Sequence, residues 1–325
     1  MKNYTVKRYE TKDYSDWNAF ISKSKNATFL FHRDFMDYHS DRFQDYSLIV
    51  MEGEKWVSVL PANILGSEVF SHQGLTYGGL VYDEKIKLVA VIAIFRSVLF
   101  FLNENKIEKI HIKTMPSIYH DKPAEELNYA LFLAEAKLER RDSLAVIDLS
   151  KPYFIANGRK EGIKKGTNNN LQIKEVDGFD DFWNKILIPN LKNKHKANPV
   201  HSLQEITKLK MQFPENIRQF NVFDNENIVA GATVFESKNV AHSQYISANE
   251  TKNENGSLDF LHYYLLTEVF KEKRFFDFGI SNEEQGKKLN GGLLFWKESF
   301  GASTIVHDFY EVATTNFSKL DNIII

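Results

Sequence analysis

The chain contains no cysteine. Disulfide frameworks, thiolate zinc sites and cysteine nucleophiles are therefore excluded. An excess of charge of one sign is missing too: 41 Lys and Arg face 43 Asp and Glu, a formal net charge of −2. Such a balance gives no chain-wide attraction to nucleic acid or anionic lipid and leaves only a local basic patch open. Long hydrophobic runs are also lacking. The longest, Leu88 to Leu102, is interrupted by Arg96 and Ser97 and reads as a buried helix rather than a bilayer span. Met1 to Arg8 has no apolar stretch of the kind a secretory signal needs, so a cytoplasmic protein is expected. No Gly-x-Ser-x-Gly elbow occurs, and no His/carboxylate pair has metal-ligand spacing, so no metal is expected.

What is present is a large apolar complement. The 325 residues are 43% hydrophobic and 14% aromatic, enough for two packed cores. Hydrophobic periodicity predicts helices from Asp16 and over Phe31 to Phe43, and strands at Tyr46 to Val50 and Trp56 to Leu65. A strand from Val69 leads into the glycine-rich stretch His72-Gln73-Gly74-Leu75-Thr76-Tyr77-Gly78-Gly79. A helix over Lys85 to Asn103, a strand over Ile107 to Thr114, a helix over Glu125 to Arg140 and a strand over Ser143 to Leu149 follow.

The second half repeats this order about 170 residues later. Helices are predicted from Phe179 and over His201 to Phe213, and a hairpin at Phe220 to Phe235. Then come a strand from Val240, a helix over Leu258 to Lys271 and a strand over Phe275 to Phe278. Two α/β domains are expected, residues 1–150 and 176–325. Each would be a mixed sheet flanked by helices, joined by a connector helix at 151–175 that carries Arg159, Lys160, Lys164 and Lys165.

Three stretches could carry chemistry. The strand Val240 to Asn249 alternates His242 and Gln244 on one face with Tyr245 on the other. Lys194 to Glu205 is an unusual polar cluster. Ser202 and Glu205 form a capping box there, and His195 and His201 flank the helix start, where a near-neutral histidine can act as a base. Phe275 to Gly301 reads as a buried strand, a polar turn with Asn282, and a helix from Asn290 that holds one cation, Lys297.

This element order, with the Asn290 to Gly301 helix, resembles the GNAT acyltransferase fold, and the tandem arrangement resembles its Fem-like branch, the peptidoglycan aminoacyltransferases and their relatives. In the GNAT pattern Asn-x-x-Ala-x-x-Leu-Tyr, Asn290 takes the first position and Lys297 the tyrosine's. The Lys297-x-x-Phe300-Gly301 context is similar to the Fem-like one. The resemblance implies a bacterial, cytoplasmic N-acyltransferase for cell-envelope or glycan precursors. Acyl-CoA would be the favoured co-substrate and aminoacyl-tRNA the alternative, with no tightly bound cofactor. The acceptor would be an amine on an amino-sugar or muropeptide-like molecule. It also implies roles. Lys297, His195 and Tyr245 would be catalytic, with Lys297 stabilising charge. Gly256, Ser257, Gln244, Asn282 and Asn290 would hold the donor, with Ser257 capping the helix at its phosphates. His72, Gln73, Tyr77, His201 and His242 would meet the acceptor. An aminoacyl-tRNA-dependent peptidoglycan ligase and a non-catalytic binding module of the same fold are the competing readings.

Overall fold

A computed structural model describes Lys2 and Tyr4 to Ile323, with Lys194 and His195 described by their backbone only. The chain divides into two compact units, Met1–Asp142 with Glu284–Lys287 and Val306–Ile325, and Ser143–Glu283 with Lys288–Ile305. Residues 306–323 thus pack with the first unit, whereas the sequence reading assigned them to a domain over 176–325. The unit boundary falls inside two long strands, so composition offers no linker to mark it.

In the first unit, Thr5–Arg8, Leu48–Glu52, Lys55–Leu60 and Val81–Tyr82 form a four-stranded sheet. The expected strand over Trp56 to Leu65 is divided at Pro61, which supplies no N–H for a ladder. Its second piece, Asn63–Leu65, pairs antiparallel with β1 (Glu68–Phe70) instead. The apolar run becomes helix α1 (Leu88–Glu104), most of whose side chains from Val91 to Leu102 are buried. It returns as β2 (Lys109–Lys113), which pairs in parallel with β1. The expected helix over Glu125 to Arg140 ends at Leu133. Glu135 turns the chain with a φ of 51°, and β3 (Lys137–Asp148) begins.

In the second unit, α2 (Asn157–Asn168) is the expected connector helix. It is an integral layer rather than a linker, because Gly162 and Gly166 let it lie directly on Asp259 and Phe260 of a later helix. β4 (Gln172–Val176), β5 (Ile217–Asp224), β6 (Asn227–Glu236) and β7 (Val240–Ala248) form an antiparallel run. Helix α3 (Ser257–Tyr264) then crosses to β8 (Phe275–Ile280). β8 pairs in parallel with β7 and antiparallel with β3. Helix α4 (Gly291–Glu298) follows, and β9 (Ser303–Ala313) is the last strand along the chain. The core of this unit lies between the sheet and the α3 layer, around Phe220, Leu261, Phe270, Phe276 and Phe300.

Candidate functional site

The site begins with a strand pair that comes apart. β7 and β8 are in register only at Val240↔Phe275, Ala241↔Phe276 and His242↔Asp277. β7 continues to Ala248 and β8 to Ile280 without further pairing between the two. Beside the far end of β7 is a cavity of about 710 Å³. Ile246, Ser247 and Ala248 of β7 line it, with Arg159, Gly162 and Lys165 of α2, Gly256, Leu258 and Asp259 at the start of α3, and Asn290, Leu293 and Trp296 around α4.

The cavity's polar groups are already organised. Arg159 donates from one terminal nitrogen to both carboxylate oxygens of Asp259 at 2.7 and 3.0 Å, and Trp296 Nε1 donates to Oδ1 at 2.9 Å. Burial raises the Asp259 carboxyl above its ordinary pKa, and the Trp296 and Arg159 contacts oppose that rise. The acid that could repel a phosphate in the first turn of α3 is thus turned onto a guanidinium and an indole. Lys165 and Lys252 add further positive charge to the lining, and Glu161 a negative one.

Helix α3 is capped by Gly256, not by Ser257. Gly256 has a φ of +70°, and a Cβ there would stand 2.0 Å from the Gly162 carbonyl oxygen. Both the backbone conformation and the contact with α2 require glycine. Ser257 is fully buried as the first helical residue, and Asn255 Oδ1 accepts its N–H at 3.0 Å.

At the point of splaying, the last paired residues form a dyad. His242 Nδ1 lies 2.9 Å from Asp277 Oδ2. The Asp277 side chain is 1% exposed and that of His242 14% exposed. Asp277 Oδ1 also accepts the Gly279 N–H at 2.7 Å. A carboxylate at Nδ1 holds the proton there and leaves the Nε2 lone pair available. No side chain or backbone group among the described residues bonds Nε2. Gly279, at φ +71°, lies under the ring, and a Cβ there would come within 3.3 Å of His242 Cε1.

Lys297 stands behind this turn. It is 2% exposed, and its Nζ donates to the carbonyls of Gly279 at 3.0 Å and Ile280 at 2.6 Å. Burial lowers its pKa to about 8, opposed by the charge of Asp277. The ammonium therefore clamps the end of β8 and is not among the cavity-lining residues.

The other residues singled out from the sequence are distributed as follows. Gly256 and Asn290 line the cavity, and Asn290 caps α4 by accepting the Leu293 N–H at 3.1 Å. Asn282 is turned away and accepts both the N–H and the hydroxyl of Ser143, at 2.7 and 3.0 Å. Tyr245 packs edge-on against Trp183, and its hydroxyl meets the His201 N–H at 3.1 Å and Nδ1 at 2.7 Å. These two residues lock each other beneath the sheet and lie outside the cavity lining. Gln244 is half-buried on β7. His195 lies outside the residues whose side chains are described.

In the first unit, Gln73 and Asn63 pair reciprocally at 2.7 and 2.9 Å, and the Tyr77 hydroxyl meets Thr28 at 2.9 Å. His72 stacks on His39 with ring centroids 4.9 Å apart. All three expected acceptor residues there are engaged in holding their loop. Sequence reasoning missed Asp277, Arg159 and Asp259 as partners. An acid inside the aromatic run Phe275-Phe276-Asp277-Phe278 was the available signal, since a carboxylate survives such a setting only with a partner.

No protein-family model matches the sequence, and no curated protein sequence matches it. Solved structures do match. FemX aligns over 98% of this chain and 99% of its own, with a TM-score of 0.66 and 9% identity. L-PGS from Bacillus licheniformis aligns over 96% of this chain and 93% of its own, with a TM-score of 0.60 and 9% identity. A tandem GNAT protein from the clavulanic acid biosynthesis pathway aligns over 96% of this chain and 99% of its own, with a TM-score of 0.52 and 10% identity. The chain has the tandem GNAT, Fem-like fold. No helix among the described residues is long and apolar enough to cross a membrane.

Proposed function

We propose that the protein is an N-acyltransferase that moves an acyl or aminoacyl group from an activated donor to an amine. The carrying observation is the splayed pair β7 and β8, with a cavity beside its open end and a His–Asp dyad at its closed end. The donor best suited to the cavity is an acyl-CoA. Cationic Arg159, Lys165 and Lys252 meet its phosphates, and Ile246, Leu258 and Leu293 meet its apolar arm. Beyond His242 the β7 edge no longer pairs with β8, which suits the extended part of such a donor as an added strand.

Aminolysis needs a neutral amine as nucleophile and a place for its proton. His242 Nε2, with Nδ1 held by Asp277, is the acceptor for that proton. The amine nitrogen attacks the acyl carbon, the proton passes to Nε2, and the thiolate or alkoxide of the donor leaves. Lys297 acts one step removed, by fixing the Gly279–Ile280 turn on which the His242 ring rests. The acceptor class is an amine of a cell-envelope or glycan precursor.

The test is an acyl-transfer assay with acyl-CoAs and aminoacyl-tRNA as donors and amino-sugar nucleotides and muropeptides as acceptors. Transfer that falls at least 100-fold in His242→Asn supports the reading. Transfer from aminoacyl-tRNA but from no acyl-CoA would move the donor assignment to the ligase class. Binding of donor without transfer to any amine would leave a binding module.

A further inference from the structure

A second constellation lies in the first unit, on the sheet face opposite the side that packs against α1. β2 and β9 pair so that Glu311 stands directly across from His111, and β1 places Phe70 across from His111 on the other side. Glu139 of β3 reaches the same spot, with an oxygen 3.1 Å from His111 Nδ1. One ring nitrogen of His111 and one oxygen each of Glu139 and Glu311 all lie within 4.8 Å of one another. Among the described residues this is the single convergence of three such donors. Sequence spacing could not reveal it, because the donors come from three separate strands.

Two further observations distinguish it from a scatter of surface acids. The His111 ring is pinned: Phe70 stacks on it with centroids 4.5 Å apart and planes 7° apart. Its far nitrogen also has a carboxylate partner, since Glu68 Oε2 lies 2.9 Å from Nε2. Nδ1 is the nitrogen on the Glu139 side of the ring. A carboxylate thus faces each ring nitrogen; an entering cation takes the place of a proton at Nδ1, while Glu68 at Nε2 holds the ring as a carboxylate holds metal-ligating histidines. The side chains are rooted on strands; His111 and Glu311 are partly buried and Glu139 is exposed. Such a donor set starts near the geometry it needs.

We propose that His111, Glu139 and Glu311 form a divalent transition-metal site, with Glu68 as the carboxylate that orients the histidine. One imidazole and two carboxylates favour zinc-like ions over magnesium or calcium, which take all-oxygen sets. Three protein donors on a solvent-facing sheet leave at least one coordination position open to water or a small anion. Lys109 is the competitor. Its Nζ pairs with Glu311 at 2.9 Å, and an entering ion takes over that carboxylate.

The experiment uses tag-free full-length protein with Zn²⁺, Mg²⁺ and, as a spectroscopic probe, Co²⁺. Calorimetry is expected to give one saturable Zn²⁺ site per chain and none for Mg²⁺. Co²⁺ is expected to develop visible d–d absorption that Zn²⁺ displaces. His111→Gln should abolish the site, Glu68→Gln should weaken it about 10–100-fold, and Lys109→Met should tighten it. The double variant Glu139→Gln and Glu311→Gln keeps side-chain shape and serves if His111→Gln fails to fold. Absence of saturable binding by the wild-type chain would overturn the proposal. So would Zn²⁺ binding that survives unchanged in the folded His111→Gln or double-glutamine protein. None of these outcomes depends on acyl transfer.

Discussion

Each unit carries one parallel strand pair with three residue pairs in register, and the two pairs end differently. In the second unit the register stops at His242↔Asp277 and the strands part. In the first unit it stops at Phe70↔His111, and the chain itself fills the gap that follows. Ser71 N–H bonds the His111 carbonyl at 2.8 Å, Gly78 N–H bonds the Lys113 carbonyl at 2.8 Å, and Lys113 N–H bonds Ser71 Oγ at 2.9 Å. Lys113 Nζ adds bonds to the carbonyls of Gln73 and Leu75. The glycine-rich stretch that reads as a ligand loop is therefore a plug. The notch in the first unit is closed by its own backbone, whereas in the second unit the strands part just beyond the His242–Asp277 pair.

The comparison can be broken most forcefully at the dyad. His242→Asn should lower acyl transfer about 10²–10⁴-fold with the circular dichroism spectrum unchanged, whereas His72→Asn in the plugged notch should leave the transfer rate unaltered. Loss of transfer in both variants, with both folded, would remove the distinction between the two notches.

Next comes the buried cation of the open notch. The Lys297 pKa, about 8 in the folded chain, lies below its ordinary value of 10.5. Between these values the unfolded chain binds a proton that the folded chain does not, so stability rises as pH rises from about 8 to 10.5. At lower pH the penalty for burying the charge is present in full. Lys297→Met should remove this rise, which amounts to at most about 3 kcal/mol, as read from urea unfolding of both proteins across the window. An unchanged pH slope would contradict the clamp.

A comparable effect is expected from one methyl group in each unit. A Cβ on Gly162 would meet Asp259 Oδ2 at 2.0 Å, and one on Gly78 would meet the Ser71 carbonyl oxygen at 2.0 Å. Gly162→Ala and Gly78→Ala should each cost about 1–3 kcal/mol in chemical denaturation. Only Gly162→Ala should also disturb donor binding, through Asp259 and Arg159. The smallest effect is expected for Tyr77→Phe, about 1 kcal/mol, because the hydroxyl's bond to Thr28 holds the plug and meets no ligand.

Much of this architecture was legible in the sequence. Hydrophobic periodicity placed α1, β2, the β5–β6 hairpin, β7, α3, β8 and α4, and the repeated order pointed to two related units. The errors have local causes. Pro61 divides what reads as one strand, and Glu135 in a left-handed turn converts an apparent helix into the start of β3. The site was less legible, because it depends on register rather than on residue type. His242 and Asp277 become partners only when β7 and β8 pair in parallel with those two residues opposite each other. Tyr245 shows the converse. Alternation put it on the face away from His242, and the structure commits that face to Trp183 and His201. Lys297 was singled out by the resemblance to the GNAT pattern, and in the structure it bonds the carbonyls of Gly279 and Ile280.

The most direct test is calorimetric titration of the full-length protein with acetyl-CoA and a longer acyl-CoA, beside an Ile246→Trp variant that fills the cavity. The expected result is one donor site per chain, absent in Ile246→Trp, because only one of the two notches is open. Two equivalent sites, no site, or one site that tolerates the tryptophan would contradict it.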